Sequence, residues 1–281
     1  MRNRYSRDSV NTVLLQRGFV PKYAGDHGQL LLPAGLTEAD WDLPVHQVSQ
    51  LREMFGKESF RKVARRLTGA KDTPVPIPDL ASMAGESVDK YLEFLSDLAV
   101  VQLDGGSVRF TGSADNIGPT LEWFVADLCE TSLLGSAEWG VQLEGLPAGG
   151  DYDVLAWLSS TLVYIETKSS TPFAVEENEL RQFLLRAADL APDICVLLID
   201  TADRRGLSDL VARLVQCSRF TVPGWPKLTP LPGSPLGIAE LAPGLFFGSP
   251  RTFVTGSKPS ILTQLRRCLQ HYHTRVKVRT A

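Results

Sequence analysis

The chain has 281 residues, 43% hydrophobic and 22% charged, enough apolar material for a sizeable core and too much for a wholly disordered polypeptide. No apolar run approaches the ~18 residues of a membrane-spanning helix. The basic start MRNRYSRDSVNTVLLQRGF has no long apolar stretch or small-residue cleavage site, so a cytoplasmic protein with no membrane partner is expected. The net charge of −3 argues against a generic nucleic-acid binder, but it is unevenly spread. Residues 119–200 hold 3 Lys/Arg against 14 Asp/Glu, and residues 201–281 hold 12 against 3. A metal site beside a phosphate-binding surface has this polarity, and so do two solvated faces of opposite sign. Cys129, Cys195, Cys217 and Cys268 form no Cys-x-x-Cys pair, which reads as buried reduced thiols and not as a zinc site.

In chain order, residues 1–43 form an N-terminal segment whose weak alternation over 12–32, about Gly25-Asp26-His27-Gly28, suggests a small hairpin. Pro44 to Leu67 reads as one helix with Val48, Leu51, Phe55, Phe60, Val63, Ala64 and Leu67 at helical spacing. Its polar face carries Arg52, Lys57, Arg61, Lys62, Arg65 and Arg66 against Glu53 and Glu58. Gly69 stops it, and Thr73 to Pro78 is a stiff connector. A short helix from Asp79 to Ala84 ends at Gly85, and Ser87 is placed to cap a third, Val88 to Leu98. Two strands about Gly105-Gly106 follow. Three helices closed by a hairpin resemble a winged helix-turn-helix, which defines a mainly α domain over 44–117. Its last helix, the usual groove reader, carries Asp89, Glu93 and Asp97 against Lys90 alone, so phosphates would repel it. A packing, dimerising or substrate-orienting role follows, with the 52–66 face left to touch phosphates or simply to be solvated.

The third region spans 118–281 and opens with a helix from Pro119 to about Leu134, ended by Gly135, then a strand from Glu138 to Glu144. Residues 152–158 and 161–168 are strands by composition, joined only by Ser159-Ser160, so they form an antiparallel hairpin. The two-residue loop sets Leu158 opposite Thr161. Continued down the ladder, Asp153 faces Glu166 and Asp151 faces Lys168, all four on one side. Tyr152, Val154, Ala156 and Leu158 then share the other side with Thr161, Val163, Ile165 and Thr167. Two opposed carboxylates resist joint ionisation, which a shared proton, a cationic partner or a hard divalent cation resolves.

Asp153, then Glu166-Thr167-Lys168 thirteen residues on, with Glu122 on a preceding helix, resembles the PD-(D/E)xK nuclease superfamily. The following helix (Glu176–Leu190), buried strand (Ile194–Asp200) and helix (Leu207–Gln216) keep that family's order; Tyr152 stands where its name has Pro. The resemblance implies an α/β fold, a restriction-endonuclease-like mixed sheet flanked by helices. It implies a Mg²⁺- or Mn²⁺-dependent endonuclease acting on DNA more readily than RNA, in restriction, anti-phage defence or repair. Asp153, Glu166 and the Thr167 carbonyl would hold the metal, with Glu122 assisting; Asp127 or Glu130 could replace Glu122. Lys168 would orient water and meet transition-state charge. Asp151 shares the face or pairs with Lys168, and Gln182 is a further polar candidate. Pairing into a homodimer would let such a nuclease cut both strands. The alternatives are an inactive nucleic-acid-binding or regulatory protein on the same fold, and a carboxylate-site hydrolase of another substrate. A winged-helix segment ahead of such a core is also similar to the C-terminal part of cyclic-nucleotide-activated CRISPR accessory nucleases.

The remaining chain is less specific. No phosphate-binding Gly-rich loop precedes a Lys-Ser/Thr, so no nucleotide triphosphate is implied. Residues 221–250 read as an irregular Pro/Gly-rich excursion, with edge strands expected at Leu245–Phe247 and Thr252–Val254. Residues 260–272 form a basic helix suited to gripping phosphates, and His271 and His273 belong to a solvated tail.

Overall fold

The computed structural model describes residues 9–23, 30–31, 45–71, 73–221, 239–242, 245–249 and 251–277. It resolves into two compact units, one of residues 25–124 and one of 1–24 with 125–281.

In the 25–124 unit, α2 (Val45–Phe55) and α3 (Glu58–Thr68) replace the single helix expected over 44–67. The break falls at Gly56-Lys57, and the reason is Arg61. Placed on the polar face by spacing alone, it is 1% exposed and donates through Nη1 to the Phe55 carbonyl at the C-terminus of α2. It thus satisfies a helix-end acceptor that a continuous helix would have paired internally. Phe60 packs edge-on against Tyr91, and Phe55 against both Phe60 and Phe124. The connector contains β2 (Val75–Pro76), followed by α4 (Ile77–Ala84) with Pro78 in its first turn, where a missing N–H costs nothing. α5 (Val88–Asp97) buries the expected Val88, Tyr91, Leu92 and Leu95, although Ser87 makes no side-chain cap. β3 (Val101–Asp104) and β4 (Ser107–Phe110) close a three-stranded sheet in the order β2-β4-β3. α6 (Gly118–Thr131) carries the boundary between the units within it.

The other unit is a mixed α/β layer structure. Residues 12–16, expected in a hairpin, belong to helix α1 (Val10–Gln16), with Ser9 accepting from the Thr12 N–H at its N-terminus. Val10, Val13 and Leu14 are buried at i, i+3, i+4, a helical rather than a two-residue period. The Gly25–Gly28 turn lies outside the described residues. β1 (Pro21–Tyr23) pairs with β5 (Ser136–Leu143), which pairs with β6 (Asp151–Leu158), then β7 (Thr161–Lys168), all antiparallel. α7 (Glu177–Leu190) returns the chain to β8 (Ile194–Ile199), parallel to β7. After α8 (Arg204–Thr221) come β9 (Ala239–Ala242), β10 (Leu245–Ser249) and β11 (Thr252–Thr255). The eight-stranded order is β1-β5-β6-β7-β8-β11-β10-β9. β11 is therefore interior, parallel to β8 and antiparallel to β10, and not the edge strand expected.

α7 and α8 cover one sheet face. Leu180, Phe183, Leu184 and Ala187 of α7 and Leu207, Leu210 and Leu214 of α8 pack on Leu155, Leu162, Tyr164, Cys195 and Leu197. α9 (Ile261–Lys277) covers the other face at β11, where His271 packs edge-on against Phe253. His271 and His273 are half-buried on this helix, not in a solvated tail. All four cysteines are buried and free, and burial pushes the Cys129 thiol up to about 12, aided by Glu130 and Asp127. Among the described residues no helix is long and apolar enough to cross a membrane.

Candidate functional site

The β6–β7 hairpin turns at Ser159-Ser160, both in the left-handed region (φ 49° and 62°), as a two-residue turn of right-twisted strands requires. The expected register holds from Leu158↔Thr161 to Val154↔Ile165. It then stops, one pair short of Asp153 and Glu166. On the other side of β6, Trp139↔Val154 and Val141↔Tyr152 are paired, but Gly140 and Asp153 between them are not. Gly140 has φ 59°, a backbone that a side chain resists. Strict alternation therefore fails here. Tyr152, expected opposite Tyr164 across the sheet, packs edge-on against it with ring centroids 5.1 Å apart and donates its hydroxyl to the Arg186 carbonyl.

This irregularity frees Asp153 from the ladder and turns its carboxylate toward β7. Oδ2 accepts the Thr167 N–H at 2.7 Å and, more weakly, the Thr167 hydroxyl at 3.4 Å. Asp153 is half-buried, and burial, followed by the charge of Glu166, pushes its carboxyl up to about 8. Thr167 and Lys168, Arg186 work in the opposite direction.

Glu166 is 3% exposed, at the buried end of β7. Lys168 Nζ lies 3.1 Å from its Oε1, and Arg186 Nη1 donates to its Oε2 at 2.8 Å. The Tyr164 hydroxyl donates to the same Oε2. Lys168 also pairs with Glu179 Oε1 at 3.0 Å, not with Asp151, which is exposed at the start of β6. Burial disfavours the charge on Lys168, but Glu166 and Asp153 outweigh it and hold the ammonium above its ordinary range. The Arg186 guanidinium lies against Gly150, whose φ of 74° and lack of a Cβ leave it room; a Cβ there would come 3.3 Å from Nη2.

The structure thus brings Asp153, Glu166, Thr167 and Lys168 together. Glu122 is half-buried on α6, within the 25–124 unit, as is expected of a helix position next to buried Leu121 and Trp123. Among the described residues no three His, Cys, Asp or Glu side chains gather to hold a metal ion. Gln182, Asp127 and Glu130 are half-buried on their helices.

Sequence reasoning missed Arg186, Glu179 and Tyr164. Tyr164 lies two residues before Glu166, so its sharing of that side was readable from the strand period. Glu179 doubles as the N3 member of a capping box with Glu176 at the start of α7, which the usual Ser/Thr-x-x-Glu signature would not flag, since the first position is Glu. Arg186 lies between Phe183 and Ala187 on the buried side of α7. An arginine on that side signals a buried acidic partner, but only the packing of α7 on β7 identifies it as Glu166.

Around Glu166 and Lys168, three carboxylates (Asp153, Glu166, Glu179) face two cations (Lys168, Arg186). Arg213 adds a further positive charge near Glu179, and the Asp153 carboxyl is raised first by burial and then by Glu166. Both hydrogen bonds to Asp153 fall on Oδ2. The donor set, carboxylate oxygens and a backbone carbonyl, is of the hard kind that suits a divalent cation such as Mg²⁺ or Mn²⁺, although both Glu166 oxygens are engaged by Lys168 and Arg186.

No protein-family model matches the chain, and no curated protein matches it. Among solved structures it is similar to the crystal structure of protein VC1899 from Vibrio cholerae, with 15% identity and a TM-score of 0.41. That similarity covers 68% of this chain and 52% of the other, so the chain spans about half the length of that protein.

Proposed function

We propose that the protein is a Mg²⁺- or Mn²⁺-dependent endonuclease of the PD-(D/E)xK, restriction-endonuclease-like type, hydrolysing phosphodiester bonds of nucleic acid, DNA before RNA. The observation that carries this reading is the meeting of a half-buried and a buried carboxylate with an ammonium, Asp153, Glu166 and Lys168, at one end of the β6–β7 hairpin. The order helix, three antiparallel strands, helix, parallel strand, helix supports it, and the helices and three-stranded sheet of residues 45–110 support a winged-helix-like partner domain.

Asp153, Glu166 and the Thr167 carbonyl would hold the cation, which when bound supplies Lewis-acid activation of the phosphate and of the attacking water. Lys168 orients that water and meets the charge that develops on the phosphoryl oxygens. Glu166 and Glu179 hold the ammonium from two sides, so its orientation is set before substrate arrives. Arg186 and the Tyr164 hydroxyl fix the Glu166 carboxylate from behind. The Thr167 N–H fixes that of Asp153.

Incubation of plasmid, single-stranded DNA and RNA with Mg²⁺, Mn²⁺ or chelator tests the reading. Cleavage should require the cation and fall by at least about 10²-fold in both Asp153→Ala and Lys168→Ala. Equal cleavage by wild type and both variants would exclude the site. One observation favours a second reading, a nucleic-acid-binding protein without turnover: both Glu166 oxygens are already engaged by Arg186 and Lys168. Binding without cleavage, and with no Mn²⁺ uptake, would select it.

A further inference from the structure

We infer that the 25–124 unit docks a nucleic-acid backbone on α3, in the groove between α3 and the end of α4, and not on α5. The choice of nucleic acid as ligand rests on the nuclease reading; the location rests on charge and shape within this unit.

Residues 25–124 carry 15 Asp/Glu against 9 Lys/Arg, so the unit as a whole repels phosphates. Six of those nine cations lie between residues 52 and 66. Arg61 is spent internally on Phe55. Lys62, Arg65, Arg66 and Gly69 recur at i, i+3, i+4 and i+7, one stripe of the helix and its end. This stripe is concave: with Met83 of α4 it lines a groove of about 450 Å³. Lys62 and Arg66 are exposed, and Met83 is 37% exposed. Arg65 and Arg66 occupy the last turn of α3, where the helix end favours cations. Lys62 pairs with Glu58 one turn back at 2.7 Å and remains half exposed, whereas Asp89, Glu93 and Asp97 of α5 are exposed and acidic and its one cation, Lys90, lies 3.6 Å from Glu53. Cations concentrated in one groove of an otherwise acidic unit complement a polyanion, whereas a face that is merely solvated has no need of the groove.

The test uses the full chain in chelator, where cleavage cannot proceed, with fluorescein-labelled duplex DNA and a single strand of the same sequence, over a range of salt. Lys62→Ala/Arg66→Ala should weaken binding to all sequences alike and make the slope of log affinity against log salt shallower by about 2 on duplex DNA. Arg66→Gln alone should give about half that change. Asp89→Asn/Glu93→Gln should leave the slope as it is. In Mg²⁺ the double Ala variant should raise KM with kcat retained. An unchanged affinity and slope in Lys62→Ala/Arg66→Ala, with an unchanged melting temperature, would overturn the inference, as would a wild type that binds neither probe. A wild type that binds with this slope but never cleaves would sink the nuclease reading and leave the docking groove standing.

Discussion

Glu166 is the residue on which the site turns. A carboxyl group 3% exposed needs partners for both oxygens, and it has three: Lys168, Arg186 and the Tyr164 hydroxyl. Breaking one buried pair costs more than the pair contributes, because the remaining charge stays desolvated. Arg186→Gln should therefore lower stability by about 3 kcal/mol in chelator, with part of the loss recovered in Glu166→Gln/Arg186→Gln, as urea melts would measure. Asp153 has the opposite character. Its carboxyl is raised from the ordinary 3.8 to about 8, chiefly by burial and then by Glu166. Between those values the folded protein keeps a proton that the unfolded chain has released. Stability in chelator should accordingly fall as pH rises from about 4 to about 8 and level off above. Asp153→Asn should flatten that slope and, at pH 8, stabilise by roughly 0.5–2 kcal/mol, and under the proposed nuclease function it should abolish cleavage. Thermal melts across pH check this; a slope shared by wild type and variant would refute it.

At the scale of elements, the hairpin and its break do different work. The two-residue turn at Ser159-Ser160 sets the pairing of β6 with β7. The irregularity at Gly140 and Asp153 then releases one side chain from that pairing. Interruptions of a ladder beside functional groups serve to re-aim a side chain. Gly140→Ala should cost about 1–3 kcal/mol, since alanine resists φ 59°. It should also weaken Mn²⁺ binding measured by calorimetry, because Asp153 would be drawn back toward the ladder. Helices contribute in the same way: α7 brings Arg186 and Glu179 to the end of β7 while burying Leu180, Phe183, Leu184, Ala187 and Leu190 on the sheet.

At the scale of the whole molecule, residues 9–23 are part of the 125–281 fold. Val10 and Leu14 of α1 belong to the same buried cluster as Tyr152 and Tyr164, and β1 covers the outer side of β5. Deleting residues 1–23 would expose the β5 edge and that apolar surface. The expected outcome is a lower melting temperature and concentration-dependent association by light scattering, with cleavage by the remaining folded fraction retained.

Much of this was legible without coordinates. Helical spacing and turn residues placed α4 to α9, and apolar, β-branched composition placed strands such as β7 and β8, which are buried on both faces. The register of β6 and β7 from Leu158↔Thr161 to Val154↔Ile165 followed from loop length, but it ends before Asp153 and Glu166, whose meeting depends on the irregularity at Gly140 and Asp153. Local patterning could not reveal that one basic residue, Arg61, would turn inward to cap a neighbouring helix, nor that Tyr152 and Asp153 would leave strict alternation. Nor could it pair Arg186 with Glu166 across 20 positions of sequence. Periodicity reports which side of an element is apolar; where a charge ends up depends on which acceptors the folded neighbours leave unsatisfied. That is decided only when α7 closes over β7, since the cost of an unpaired buried charge exceeds the preference of any single helix or strand.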